Sequence, residues 1–158
     1  MSLPIPRPGL VICYSYLWAT EHRRGAEEGN KNRPCAIVAA HRVIQGREVV
    51  TVVPITHTRP AETADAVEIP AALKRHLGLD DLPSWIVVTE TNDFIWPGPD
   101  LHPVPGVKPS RFDYGMLPPR FFAHIRDSVL QAHLNRRLDR VPRTEYQVPM
   151  PRAQLFRM

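Results

Sequence analysis

The strongest constraint in the sequence is a pair of apolar runs, Pro34–Ala40 (PCAIVAA) and Glu48–Ile55 (EVVTVVPI), joined by a short polar connection that contains Gln45 and Gly46. Runs of this length and β-branched content, bounded by turn residues, predict two strands of a hairpin. Pro54 has no amide hydrogen to donate to a ladder, so the second strand is expected to stop there. Ahead of the hairpin, Gly9–Leu17 (GLVICYSYL) follows a proline-rich lead and reads as a further strand with both faces partly covered. The intervening stretch, Trp18 to Asn32, is polar and broken by glycine, has no helical stripe of apolar residues, and is expected to be a long exposed loop. Loops of that length in compact domains are often functional.

Downstream, Ala66–Ile69 is a short strand candidate. Pro70 and Gly78 then frame a two-turn helix with Leu73 and Leu77 on one face. Ser84–Glu90 (SWIVVTE) reads as one strand. Trp96–Pro109 carries five prolines and is expected to run as an extended wrap, continuing to residue 117. Pro118-Pro119 opens a long helix to about Leu138, in which Phe122, Ile125, Val129 and Ala132 fall on one face. A basic, irregular tail follows from residue 141. The expected fold class is mainly β with α: a small SH3-like antiparallel barrel with a short helix and a long C-terminal helix, forming one domain over residues 1–158.

Hydrophobic residues make up 43% and charged residues 23% of the 158, which excludes a fibrous repeat or wholesale disorder. No apolar run approaches the roughly 20 residues of a membrane span, and the N-terminus lacks the apolar centre of a signal peptide, so a cytoplasmic location away from membranes is expected. Cys13 and Cys35 lie in apolar strands without metal-ligand spacing and read as buried thiols. The formal charge of +4 is concentrated toward the C-terminus, a pattern that suits a nucleic-acid or acidic-protein partner but also an ordinary solvated surface.

The order GLVICYSYL, a polar loop with Glu27-Glu28-Gly29, NRPCAIVAA and VVTVVPITH resembles the MazF/PemK toxins over about residues 8–95. The resemblance implies a homodimeric toxin of a toxin–antitoxin pair that cuts single-stranded RNA, with an antitoxin protein as partner and no metal or cofactor. It maps Arg33 and Thr56 onto the family's cleavage site and puts Glu90 near the family's acid. Val88 stands where an arginine would complete an Arg-x-Asp pair, and Thr91-Asn92-Asp93-Phe94 departs from the family's pattern.

The chemistry has its own requirements. For a ribose 2′-OH to attack the adjacent phosphate, a base must take a proton, a cation must stabilise the phosphorane, and an acid must protonate the leaving oxygen. Arg33 suits the phosphate, since guanidinium donates two parallel hydrogen bonds; a surface ion pair with Glu27 or Glu28 is the competing reading. Thr56 adds a hydroxyl, and is otherwise an ordinary strand-end residue. His57 and His22 are candidate RNA-contacting groups that can exchange protons near neutral pH. His57 follows Thr56 in an extended segment, which predicts that the two side chains point to opposite faces. Trp96 is a candidate stacking platform for a base, or else an anchor of the wrap. Two other functions stay open: a non-catalytic family member that binds nucleic acid or a protein target such as gyrase, as the CcdB toxins do, and a housekeeping barrel that makes contacts through Arg136–Arg140.

Overall fold

The structure, a computed structural model, describes residues 3–29, 31–42 and 46–143; Gln45 of the expected hairpin connection and the basic tail beyond Arg143 lie outside the described residues. The described residues form β1 (Leu10–Ser15), α1 (Ala19–Arg23), β2 (Asn32–Arg42), β3 (Glu48–Thr56), β4 (Ala66–Glu68), α2 (Ala71–Leu77), β5 (Trp85–Val87), β6 (Glu90–Ile95), β7 (Asp113–Met116), α3 (Pro119–Leu134) and β8 (Asp139–Pro142). The strands run β4-β5-β3-β2-β1-β7, with β6 on β3 and β8 on β6. Every pairing is antiparallel except β6 with β8. The fold is therefore mainly β with α, as expected, but no ladder among the described residues closes the sheet into a full barrel.

The two-residue strand period decides where the core sits. On the first three strands one set of residues (Val11, Ala36, Val38, Val53, Ile55) packs with Leu73 and Leu77 of α2 and with Ile125 and Val129 of α3. The alternate set (Leu10, Ile12, Tyr14, Cys35, Ile37, Val50, Val52) packs with Phe94 and Leu101. With both faces covered, β1 is buried at all six positions, which is why its sequence shows no polar alternation. Gly78 ends α2 in the left-handed conformation, φ +69°, the cap its position after Leu77 predicts.

Several elements differ from the sequence expectation. The expected loop at 18–32 contains α1, because the Glu21 carboxylate accepts the Trp18 amide at 3.1 Å and the Glu90 carboxylate accepts that of Ala19 at 2.9 Å. Ser84–Glu90 is not one strand. β3 is long enough to pair with β5 at Ile55 and Thr56 and with β6 at Val49–Val52, so the chain steps across at Val88 and Thr89. The wrap contains β7, which pairs with β1, and α3 stops at Leu134. After four intervening residues the chain forms β8, an unexpected strand locked to β6 by two hydrogen bonds from Arg140 to Asp93, 2.8 and 3.1 Å.

β8 delivers Arg143, which is 1% exposed. Its guanidinium donates to Ser15 O (2.7 Å), Tyr14 Oη (3.2 Å) and Asn92 Oδ1 (3.2 Å) and lies 3.1 Å from the Asp100 carboxylate. One cation thus ties the end of β1, β6 and the wrap together. Removing one partner of a buried charged network costs about 3–5 kcal/mol. Arg143→Met is expected to lose stability on that scale in urea unfolding, and a variant as stable as the wild type would refute this role.

Candidate functional site

β2 and β3 pair with Cys35 opposite Pro54 and Ala36 opposite Val53. The same register carried two residues beyond Cys35 sets Arg33 across from Thr56, on the face that Cys35 shares. Arg33 and Thr56, together with His57, line a cleft of about 580 Å³.

The Arg33 guanidinium sits 4.9 Å from the centre of the Trp18 ring and donates a hydrogen bond from Nη1 to Ile55 O at 3.4 Å. Its Nε is buried with no hydrogen-bond partner among the described residues. No ion pair joins it to Glu27, Glu28 or another described carboxylate. Stacking on indole holds a guanidinium flat while leaving its edge free to donate. The Thr56 hydroxyl accepts the Thr58 amide at 3.2 Å. That turn ends β3, so the chain leaves the strand at Thr56 and His57 lines the same cleft, contrary to the opposite-face expectation.

His57 is held on both ring nitrogens. Nδ1 lies 3.0 Å from Pro83 O and 3.1 Å from Ser84 Oγ, and Nε2 lies 2.9 Å from Asp80 Oδ2. Ser, His and Asp are the residue types of a nucleophilic triad. Ser84, however, is 2% exposed and its hydroxyl donates to Leu82 O, so it braces the imidazole and cannot reach a substrate. The buried Lys74 ammonium lies 3.1 Å from Asp80 Oδ1. Partial burial raises the Asp80 pKa, but the Lys74 and Leu82 hydrogen bonds and the His57 charge outweigh it and hold the carboxyl below its ordinary value. Since Lys74 offsets Asp80, the cationic residues Lys31 and Arg33 leave the cleft positive, suited to an anionic ligand.

The other expected site residues lie apart from this cleft. Glu90 Oε1 accepts from Ala19 N (2.9 Å) and from Tyr16 Oη (3.1 Å), which commits it to the start of α1. His22 is on α1, with its Nδ1 buried. Trp96 packs beside Phe94, ring centres 6.1 Å apart, against the second core. Trp18, Lys31, Asp80 and Ser84 belong to the cleft or its bracing but were not singled out as site residues from the sequence. Trp18 ends the buried run of β1 just before the polar segment, a signal that was readable; Asp80 and Ser84 are loop residues with no local pattern to mark them.

Burial raises the Glu90 pKa despite the hydrogen bonds from Ala19 and Tyr16. Between the unfolded and folded values the native protein holds the extra proton, so stability falls as pH rises through that window, which runs upward from the ordinary glutamate value. Glu90→Gln is expected to lose this part of the pH dependence while keeping an acceptor for both donors. Glu90→Ala strands the buried Tyr16 hydroxyl and should cost about 1–3 kcal/mol. Urea titrations at several pH values check both, and equal stability of the two variants would contradict the acceptor role.

The family model of the PemK-like, MazF-like toxins of type II toxin–antitoxin systems matches residues 16–93. No curated protein matches the chain in sequence. The matched stretch includes Trp18, Lys31, Arg33, Thr56, His57, Asp80 and Ser84, among them all the charged residues of the cleft. Over residues 16–93, just under half of the chain, the sequence is thus that of the PemK-like, MazF-like toxins.

Proposed function

We propose that the protein is the toxin of a type II toxin–antitoxin pair and cleaves single-stranded RNA at the Arg33 cleft. The single observation that carries this reading is the assembly of a cation, a hydroxyl and an imidazole, Arg33, Thr56 and His57, in one positively charged cleft. The match to this toxin family implies an antitoxin partner. Among the described residues no helix is long and apolar enough to cross a membrane, and the working species in this reading is a cytoplasmic homodimer.

In the proposed reaction the 2′-oxygen of the ribose attacks its own 3′-phosphate, the bond from phosphorus to the 5′-oxygen breaks, and the products are a 2′,3′-cyclic phosphate and a 5′-hydroxyl. Arg33 holds the two non-bridging oxygens as charge builds on them, and the Thr56 hydroxyl donates a further hydrogen bond. His57 exchanges the proton through Nε2, which leaves the exposed Asp80 carboxylate to do so, while Nδ1 stays held by Pro83 O and Ser84 Oγ. Glu90 takes no part in proton transfer in this scheme, because its oxygen is engaged by Tyr16 and Ala19.

The second reading, a family member that binds nucleic acid or a protein target such as gyrase without cutting, draws support from one observation. Val88, where an arginine would complete the family's Arg-x-Asp pair, is 1% exposed in the core between the sheet and the two helices α2 and α3.

The test is incubation of purified protein with a long single-stranded RNA in EDTA. Discrete fragments with 5′-hydroxyl ends are expected, with Arg33→Ala slower by about 10²–10³-fold, the scale of losing one transition-state donor. His57→Ala should lose at least about 10²-fold. No cleavage by the wild type, or equal rates for Arg33→Ala, would remove the reading.

A further inference from the structure

The cleft has a second kind of lining. Besides the charged residues, its wall includes Leu79, Val104, Pro105, Val107 and Tyr114. None of these carries a charge, so this wall cannot hold a phosphate. Four of the five, Val104, Pro105, Val107 and Tyr114, lie beyond the stretch that matches the toxin family, residues 16–93. The charged residues belong to the family segment; this wall, Leu79 apart, is supplied by the proline-rich segment and β7.

The wall is built rather than incidental. The segment that carries it is tied to β1 by hydrogen bonds from Ser15 N to Asp100 O (2.9 Å), from His102 N to Cys13 O (2.9 Å) and from Cys13 N to Phe112 O (3.2 Å). Val104 N donates to Arg111 O at 2.8 Å and closes the loop between them. At the tip Gly106 takes φ +75°, a turn conformation that suits glycine. Tyr114 is half-buried, and its hydroxyl is hydrogen-bonded to the buried Cys13 thiol, so its ring is fixed from behind. A ring anchored by its polar end, flanked by small aliphatic side chains, presents an apolar aromatic surface at low entropic cost.

We propose that this wall is a nucleobase subsite, which receives a base next to the phosphate held by Arg33 and so sets where the RNA is cut. The inference rests on the ribonuclease reading above. Its occupant follows from the lining: charged residues that suit a phosphate and an uncharged wall with an aromatic ring share one cleft of about 580 Å³, within the roughly 300–1,000 Å³ of small-ligand sites. A single-stranded nucleotide supplies both parts, an anion and a flat π-face that stacks on aromatic rings. The wall selects by shape and carries no role in the proton transfers.

Two measurements test the subsite. The first is sequencing of the ends produced from a pool of randomised single-stranded RNA by the wild type, Val107→Asp and Tyr114→Ala. A base preference at one nucleotide flanking the cut, relaxed about tenfold in either variant, supports the subsite. The Val107 variant alters a partly exposed loop position and keeps the test valid should loss of Tyr114 perturb folding. An unchanged cut-site profile in a folded Val107→Asp protein overturns the subsite and leaves the ribonuclease reading in place. The second is fluorescence anisotropy with short RNAs that carry a 2′-deoxy sugar at successive positions and one base removed at each position in turn. Weaker wild-type binding, by about tenfold, at one abasic position, and no such loss in Val107→Asp, supports the subsite even where the wild type cuts nothing and the ribonuclease reading has failed. Equal binding of all abasic RNAs overturns it.

Discussion

Everything at the cleft depends on the register between β2 and β3. Antiparallel partners sit about 4.5–5.5 Å apart, and the pairing of Cys35 with Pro54 sets the position of the residues at the open end. A slip of one residue would turn Arg33 to the other face and bury its charge against the helices. The register is itself enforced by burial on both sides: Ala36 and Val53 pack toward α2 and α3, and Cys35 and Val52 toward Phe94 and Leu101. The two cores have different sets of partners, so neither set of side chains can exchange with the other. The geometry of Arg33 and Thr56 is thus bought by the whole sheet.

That arrangement explains how a polar cleft persists beside a tightly packed sheet. β3 has three strand neighbours along its length, β2 throughout, β6 at its start and β5 at its end. Where β6 gives way to β5, the chain must step across, and Asp65, Val88 and Thr89 fill that step: Val88 N donates to Asp65 O at 2.9 Å and Asp139 N to Thr89 O at 2.9 Å. β5 then brings Ser84 to the end of β3, where its hydroxyl meets His57. The bracing of the imidazole is a consequence of sheet branching, and Lys74 reaches Asp80 from α2 because that helix is packed on the same core.

The parts of the fold legible in the sequence are those fixed locally. The hairpin strands, α2 with its flanking Pro70 and Gly78, and the apolar face of α3 all announce themselves in fewer than twenty residues. What escaped is set at long range. Asp113-Tyr114-Gly115-Met116 has no strand pattern and becomes β7 only because the edge of β1 has free backbone groups to pair. Asp139–Pro142 becomes β8 by parallel pairing to residues about fifty positions earlier, and Arg143 is buried only because Ser15, Asn92 and Asp100 converge on it. The same division runs through the site. Arg33 and Thr56 belong to short motifs, while Asp80, Ser84 and Tyr114 arrive by tertiary packing and carry no local mark. Glu90 occupied a plausible sequence position, and only the coordinates reveal that Tyr16 and Ala19 already use its oxygen.

This division has a functional counterpart. The charged lining of the cleft is assembled by the sheet and is sensitive to its register, so substitutions there act on the whole structure as well as on a ligand. The uncharged wall is carried largely by a loop whose feet are tied to β1 through backbone hydrogen bonds, which impose no requirement on the side chains at its tip. Pro105 and Val107 can therefore change without disturbing Arg33 or the two cores. If the cleft binds RNA as proposed, a chain built in this way can alter what the cleft admits while leaving Arg33 fixed, and separate segments for the two tasks would let a positively charged cleft discriminate among ligands that all carry the same charge.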